Sequence, residues 1–259
     1  MKDWSGVTAV VTGASSGIGA EFAAELARRQ CNLVLVARRE DRLRALAARL
    51  EAEHGIAVRV LSADLSVPAQ VQELIQRLAE TPVDVLINNA GFATHGIFAE
   101  RSAGRVVDEL AVNVGAVVAL THALLPEMVA RGRGVVVNVA STAAFQPIPY
   151  MAVYGATKAF VLSFTEALWG ELDGTGVDVL ALCPGATDTE FFDVAGESAS
   201  VGGRQTPAKV AATAMRALDR RSSPPSVVSG SANKWSTRLP RILPRRTVIR
   251  VTRGLVAPK

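Results

Sequence analysis

The chain has 259 residues, 49% of them hydrophobic and 20% charged, with a formal net charge of +4. That composition supplies the core of one large α/β domain and excludes disorder, a collagen repeat and a disulfide scaffold. The positive charge belongs to the end of the chain: residues 1–219 carry 18 Lys/Arg against 24 Asp/Glu, whereas residues 220–259 carry 10 Lys/Arg and no acid.

Strands are expected over residues 7–12, 32–37, 57–62, 84–88, 135–140, 177–183 and 226–229. The early runs are apolar almost throughout, as suits strands covered on both faces of a parallel sheet. Helical spacing fills the gaps, as over 42–54, where leucines recur at 43, 46 and 50. Such alternation implies βαβ units and an α/β doubly wound parallel sheet, the Rossmann fold. One catalytic and nucleotide-binding domain is expected over 1–230, followed by a short basic C-terminal extension over 231–259. Within the domain, residues 185–206 include the small, polar stretch AGESASVGG just after a strand end, where a lid would sit. The opening MKDWSG does not read as a secretory signal, and the uncharged runs 110–126 and 134–157 hold Asn, His, Ser, Gln and Pro. They read as buried elements of a cytoplasmic protein, not membrane spans. Cys31 and Cys183 read as reduced, buried thiols.

The first strand runs through Thr12-Gly13-Ala14-Ser15-Ser16-Gly17-Ile18-Gly19 into an apolar-periodic helix. Glycines at 13, 17 and 19 let the backbone turn tightly and approach a pyrophosphate, whose charge meets the helix N-terminus beside Ser15, Ser16 and Ile18. The second strand ends at Ala37, followed by Arg38 and Arg39. NAD-preferring folds usually place an acid there for the ribose hydroxyls; two guanidiniums instead suit a 2′-phosphate, so NADP(H) is expected.

Asp64-Leu65 and Asn89-Ala90-Gly91 close the third and fourth strands on the same edge. Tyr154 and Lys158 stand four residues apart, on one face of a helix, where the ammonium would lower the phenol pKa toward usefulness as an acid–base. Ser141 ends the fifth strand and is placed to hold a carbonyl oxygen. Asn113 is a lone polar group in an apolar helical run.

With TGASSGIG, NNAG, the Ser141…Tyr154-x-x-x-Lys158 set and PGATDT together, the sequence resembles the short-chain dehydrogenase/reductase family, over roughly residues 5–230. The resemblance implies that Tyr154 donates or accepts the proton, Ser141 orients substrate, and Lys158 binds the nicotinamide ribose and tunes Tyr154. It implies that Asn113 anchors a relay water and that Asp64, with Leu65, lies against the adenine. Asn89, Ala90 and Gly91 would line the cofactor, and Pro184, Gly185, Thr187 and Thr189 would lie near the nicotinamide amide. It further implies a homo-oligomer, dimer or tetramer.

Other residues have blander roles. His95 and His122 lack ligand partners at metal-binding spacing, Trp169 and Cys183 pack, and Tyr150 would be a pocket wall. Residues 142–151 and Phe191 and Phe192 are largely apolar, with no arginine cluster, which suits a small lipophilic ketone, aldehyde or secondary alcohol. Subunit packing is the other use for such residues. In the extension, Pro240 and Pro244 interrupt helix. From Arg245 onward, Val248, Ile249, Val251, Leu255 and Val256 form an apolar arc opposite Arg246, Arg250 and Arg253. That pattern fits peripheral association with an anionic membrane, dispensable for chemistry; docking on a partner subunit or closure over the substrate pocket are the other uses. Nucleic acid is not an expected partner, since the body is acidic and no aromatics interleave the charges. The alternative to an NADP(H)-dependent oxidoreductase is a cofactor-sensing regulator or membrane-surface scaffold that keeps the fold without turnover.

Overall fold

The computed structural model describes residues 4–257. Continuous apolar runs become strands because both of their faces are covered, and the elements alternate from the start. β1 (Thr8–Thr12), α1 (Gly17–Arg28), β2 (Asn32–Ala37), α2 (Glu40–His54) and β3 (Val58–Ser62) form the first half-sheet. α3 (Pro68–Leu78) then carries the chain back across to β4 (Val85–Asn88). A long helix follows, in which α4 (Ala103–Leu110) and α5 (Val117–Ala130) are joined by a π-helical turn, Ala111–Ala116. β5 (Gly134–Val139), α6 (Ala152–Glu171), β6 (Val177–Cys183), α7 (Phe191–Ala195), α8 (Pro207–Leu218) and β7 (Ser226–Val228) complete the second half. α9 (Ser231–Ser236) and α10 (Arg245–Leu255) end the chain.

All seven strands pair in parallel in the order β3-β2-β1-β4-β5-β6-β7. The expected strands and the Rossmann topology are therefore present. α2 begins two residues before the leucine pattern, because Glu40 and Asp41 suit its positive N-terminus, and it stops at Gly55, whose φ of +67° is left-handed. The order reverses between β1 and β4, so the strand ends part there and open a crevice.

Each face of the sheet has its own core. Phe22, Leu26, Leu43, Leu50, Met215 and Leu218 cover one side, and Leu74, Leu78, Leu120, Leu124 and Met128 the other. Full burial of each such side chain is worth about 1.5–3 kcal/mol, so both helix layers are firmly held. The helix over Ala103–Ala130 is long and apolar enough to cross a membrane, with mean hydropathy 1.5. Its Leu120 and Met128 are instead fully buried against the sheet.

The extension packs on the domain, and its apolar arc divides. Val248 and Val256 are buried against the body, whereas Ile249, Val251 and Leu255 are 39–55% exposed. The Thr252 hydroxyl donates to the Pro147 carbonyl at 3.0 Å, and the Arg253 Nε donates to the Tyr150 hydroxyl at 3.3 Å. His95 Nε2 lies 2.7 Å from the Val256 carbonyl.

Candidate active site

The turn after β1 is built for close backbone approach. A Cβ on Gly13, at φ +66°, would sit 2.8 Å from the Asn89 amide nitrogen, and one on Gly19 would strike the Gly13 carbonyl. Asn89 itself braces this turn: its Nδ2 donates to the Thr12 carbonyl at 2.9 Å, and its backbone N–H to the Thr12 hydroxyl at 2.9 Å. Its side chain thus braces the turn, and Asn89, Ala90 and Gly91 line the cavity beside it. α1 begins at this turn, and the Ser16 side chain does not cap it. Its first N–H groups therefore remain for an anion, which is the fit a pyrophosphate requires.

The two arginines part company. Arg39 donates from Nη2 to the hydroxyls of Ser15, at 2.9 Å, and Ser16, at 3.0 Å, and from Nη1 to Glu190 at 2.6 Å. Arg38 is largely exposed, with Nη1 3.8 Å from an Asp64 oxygen. Burial works to raise the Asp64 carboxyl, but hydrogen bonds from Ser66 and the charge of Arg38 bring it below its ordinary value. Leu65 is buried in the core beside it.

Ser141 follows β5, and Tyr154 and Lys158 lie on the first turns of α6. The Ser141 hydroxyl oxygen accepts from the Ala143 N–H at 3.1 Å, which fixes its rotamer. Lys158 Nζ donates to the Val139 carbonyl at 2.7 Å and lies 5.8 Å from the centre of the Tyr154 ring. Burial pulls the ammonium down to about 8. It pushes the Tyr154 phenol up to about 12, against the pull of the Ser141 hydroxyl and with a further push from Glu109. Burial is thus the largest influence on the phenol, and it opposes ionisation.

Asn113 sits in the π-helical turn, fully buried. Its Nδ2 donates to the Phe92 carbonyl, at 2.9 Å, and to the Thr157 hydroxyl, at 3.1 Å, while its Oδ1 accepts from the Phe92 N–H at 3.1 Å. The amide clamps the loop after β4 to α6. π turns are frequent at functional sites. Glu109, one turn earlier, was not singled out in the sequence. It is fully buried, accepts from the Thr94 N–H and hydroxyl at 3.0 and 2.6 Å, and leaves Oε1 without a partner. Burial raises its carboxyl. An acid in an apolar helix gives no sequence signal that distinguishes a clamp from a solvated face.

Ser141, Tyr154, Lys158 and the turn after β1 open on one cavity of about 650 Å³ that runs from Arg39 to the extension, while Asn113 and Glu109 lie behind its lining. Ile148, Met151, Phe191, Leu243, Val251 and Leu255 supply apolar walls. The Phe191 ring packs 5.4 Å from that of Tyr154. The loop over 185–206 is closed at its base: the Asp188 N–H donates to Gln205 at 2.8 Å, and the Gln205 N–H to Ala186 at 2.9 Å. Thr187 and Thr189 lie on this loop and line the cavity with Pro184 and Gly185. Two expectations change. Tyr150 is absent from the lining; it holds a φ of +65° and faces Arg253. From α4, outside the two apolar segments, Arg105 also lines the cavity, its guanidinium 4.4 Å over the Phe92 ring. The extension is part of the site rather than separate from it, because α9 lays Asn233 so close on Gly185 that a Cβ there would collide.

Comparison with known proteins agrees with this geometry. The sequence matches the short chain dehydrogenase family over residues 7–199. It is 34% identical over 227 residues to ketoacyl reductase HetN of Nostoc sp., covering 86% of this chain and 79% of that one. It is 37% identical over 186 residues to a very-long-chain 3-oxoacyl-CoA reductase of Meyerozyma guilliermondii, which covers 67% of this chain but only 54% of that longer protein. A short-chain dehydrogenase from Sphingobium yanoikuyae, solved with NADPH, superposes with a TM-score of 0.83 at 40% identity, covering 90% of this chain and 92% of its own. The chain is a member of the short-chain dehydrogenase/reductase family, an oxidoreductase with a Rossmann fold and a nicotinamide cofactor.

Proposed function

We propose that the protein is an NADP(H)-dependent oxidoreductase that interconverts a lipophilic ketone or aldehyde and its alcohol. The observation that carries this reading is a single cavity with Arg39 at one end, Ser141, Tyr154 and Lys158 in the middle, and apolar walls beyond. The backbone of the turn after β1 and the N-terminus of α1 hold the pyrophosphate, and Arg39, steadied on Ser15 and Ser16, takes the 2′-phosphate. When bound, the cofactor supplies or receives hydride. Lys158 offers an ammonium to the ribose hydroxyls. Ser141 donates to the substrate oxygen, and Tyr154, held protonated by its burial, delivers the proton in the reducing direction. The NADPH-bound relative and the two acyl-type reductases support both halves of the assignment.

The test is NADPH oxidation against a panel of medium- and long-chain ketones, aldehydes and 3-oxoacyl thioesters. Oxidation that strengthens with substrate bulk supports the reading. Tight NADPH binding with no oxidation by any member would replace it with the cofactor-sensing alternative.

The protein is proposed to be cytoplasmic and to act as a homo-oligomer, with the exposed Phe160 of α6, stacked on the half-buried Phe164, available for self-association. The extension is proposed to touch anionic membrane peripherally. Trp235 and Ile242 are 69% and 80% exposed amid Lys234, Arg238, Arg245 and Arg246, and each basic residue near such a surface contributes about 1 kcal/mol. Salt-sensitive sedimentation with anionic but not zwitterionic vesicles is the expected result.

A further inference from the structure

Glu190 stands apart from every role so far described. It precedes α7 on the loop over 185–206, yet its carboxylate reaches back across the chain to α2. One oxygen accepts from Arg39 Nη1 at 2.6 Å and the other from Arg42 Nη1. The same Arg39 holds Ser15 and Ser16 with its remaining nitrogens. All of these residues except Arg42 line the cavity. The two guanidiniums hold the Glu190 carboxyl down at about 2, so it is an anion at any working pH. Two arginines converge there on a carboxylate at the end of β2, the position at which a dinucleotide fold reads the 2′ substituent of its cofactor. The next residue, Phe191, packs on the ring of Tyr154.

We propose that Glu190 is a specificity-determining residue that occupies the 2′-phosphate position until NADP(H) displaces it, so that the phosphate competes with an internal carboxylate for Arg39. This inference rests on the NADP(H) reading above. A cofactor without the 2′-phosphate meets Arg39 already neutralised and makes no such exchange. Glu190 therefore lowers affinity for the phosphorylated cofactor while leaving affinity for the other unchanged. The exchange also loosens Glu190 from α2, which frees the segment carrying Phe191 beside the catalytic phenol.

The experiment measures dissociation constants of NADPH, NADH, 2′,5′-ADP and 5′-AMP by calorimetry for the full chain and for Glu190→Gln. Asp193→Asn, an exposed acid of α7 with no contact to Arg39, is the control for a general change of charge. Because the Glu190 pairs are partly exposed, Glu190→Gln is expected to bind NADPH and 2′,5′-ADP about fivefold more tightly. Its NADH and 5′-AMP constants, and all four constants of Asp193→Asn, should be unchanged. Equal or weaker 2′,5′-ADP binding by Glu190→Gln, or equal tightening by Asp193→Asn, overturns the proposal. If instead the unmodified protein binds 2′,5′-ADP no better than 5′-AMP, the NADP(H) reading falls first, and the proposal with it.

Discussion

The two halves of the cavity are made in different ways. The cofactor half is assembled from short, contiguous turns at the ends of β1, β2 and β4, fastened by backbone and short side-chain bonds such as those of Asn89 to Thr12. The substrate half is assembled from pieces far apart in the chain: residues 142–151, α7 and the extension, joined by contacts such as Thr252 to Pro147 and Arg253 to Tyr150. In the first half the backbone packs so closely at Gly13 and Gly19 that no side chain fits there. The second is held by a few side chains and by partly exposed apolar residues, so its shape is free to differ while the chemistry stays fixed.

That contrast can be broken at its hinge. Tyr154→Phe removes the one phenol placed for proton transfer, so kcat should fall by about 10³-fold or more. NADPH affinity should stay within about twofold, since the cofactor half is untouched. A mutant retaining a tenth of the turnover would show that another group moves the proton. Next in size, Arg39→Ala should weaken NADPH by roughly 10- to 100-fold, the loss of one or two charge-assisted bonds, and leave NADH alone. Equal losses for both cofactors would mean that Arg39 only braces Ser15 and Ser16.

Removing residues 231–259 should act on the other half. With the wall of Leu243, Val251 and Leu255 gone, KM for a bulky ketone should rise about tenfold while that for a small aldehyde changes little, given about 1.5–3 kcal/mol for each apolar side chain buried. The melting temperature should also drop, because the body surface against which Val248 and Val256 are buried becomes exposed. Unchanged KM for both substrates would return the extension to the status of an independent appendage.

The smallest effect is a pH signature of the protein without cofactor. The Lys158 ammonium is disfavoured by burial, with its folded value near 8 and its ordinary value 10.5. Between those values the unfolded chain binds more protons, so stability rises with pH. Cys31 and Cys183, pushed by burial from 9.0 to about 12, act in the opposite sense once pH exceeds about 9. Tyr154 adds to that fall above about 10. Thermal melts across pH 7–10 should therefore pass through a shallow maximum near pH 9, and Lys158→Met should lose the rising limb. A rising limb that survives in Lys158→Met would assign it elsewhere.

The sequence exposes the first half far better than the second, for physical reasons. Strands buried on both faces must be apolar throughout, so β1, β2 and β6 announce themselves. A pyrophosphate turn needs glycines at fixed spacing, and Tyr154 and Lys158 share a helix face only at four residues apart. The Glu190–Arg39 pair, in contrast, joins residues 151 positions apart, and Glu109 is paired with Thr94 across a loop. Periodicity revealed that α10 has an apolar face but not that the face would turn onto its own domain. Spacing likewise placed Lys158 beside Tyr154, but it carries no information on how dry the site is, and dryness decides the phenol's proton.

The π-helical turn over Ala111–Ala116 has one further consequence. It accommodates one residue more than an α-helix would need to join α4 to α5. Each residue advances a helix by about 100°. Deleting that residue would restore a regular α-helix that keeps Leu120 and Met128 on the sheet and Glu109 beside Thr94, but it would remove the widened turn from which Asn113 holds Phe92 and Thr157. Such a deletion therefore separates folding from catalysis within one helix: a well-folded deletant with a displaced loop after β4 would show that the extra residue is kept for the site and not for the fold.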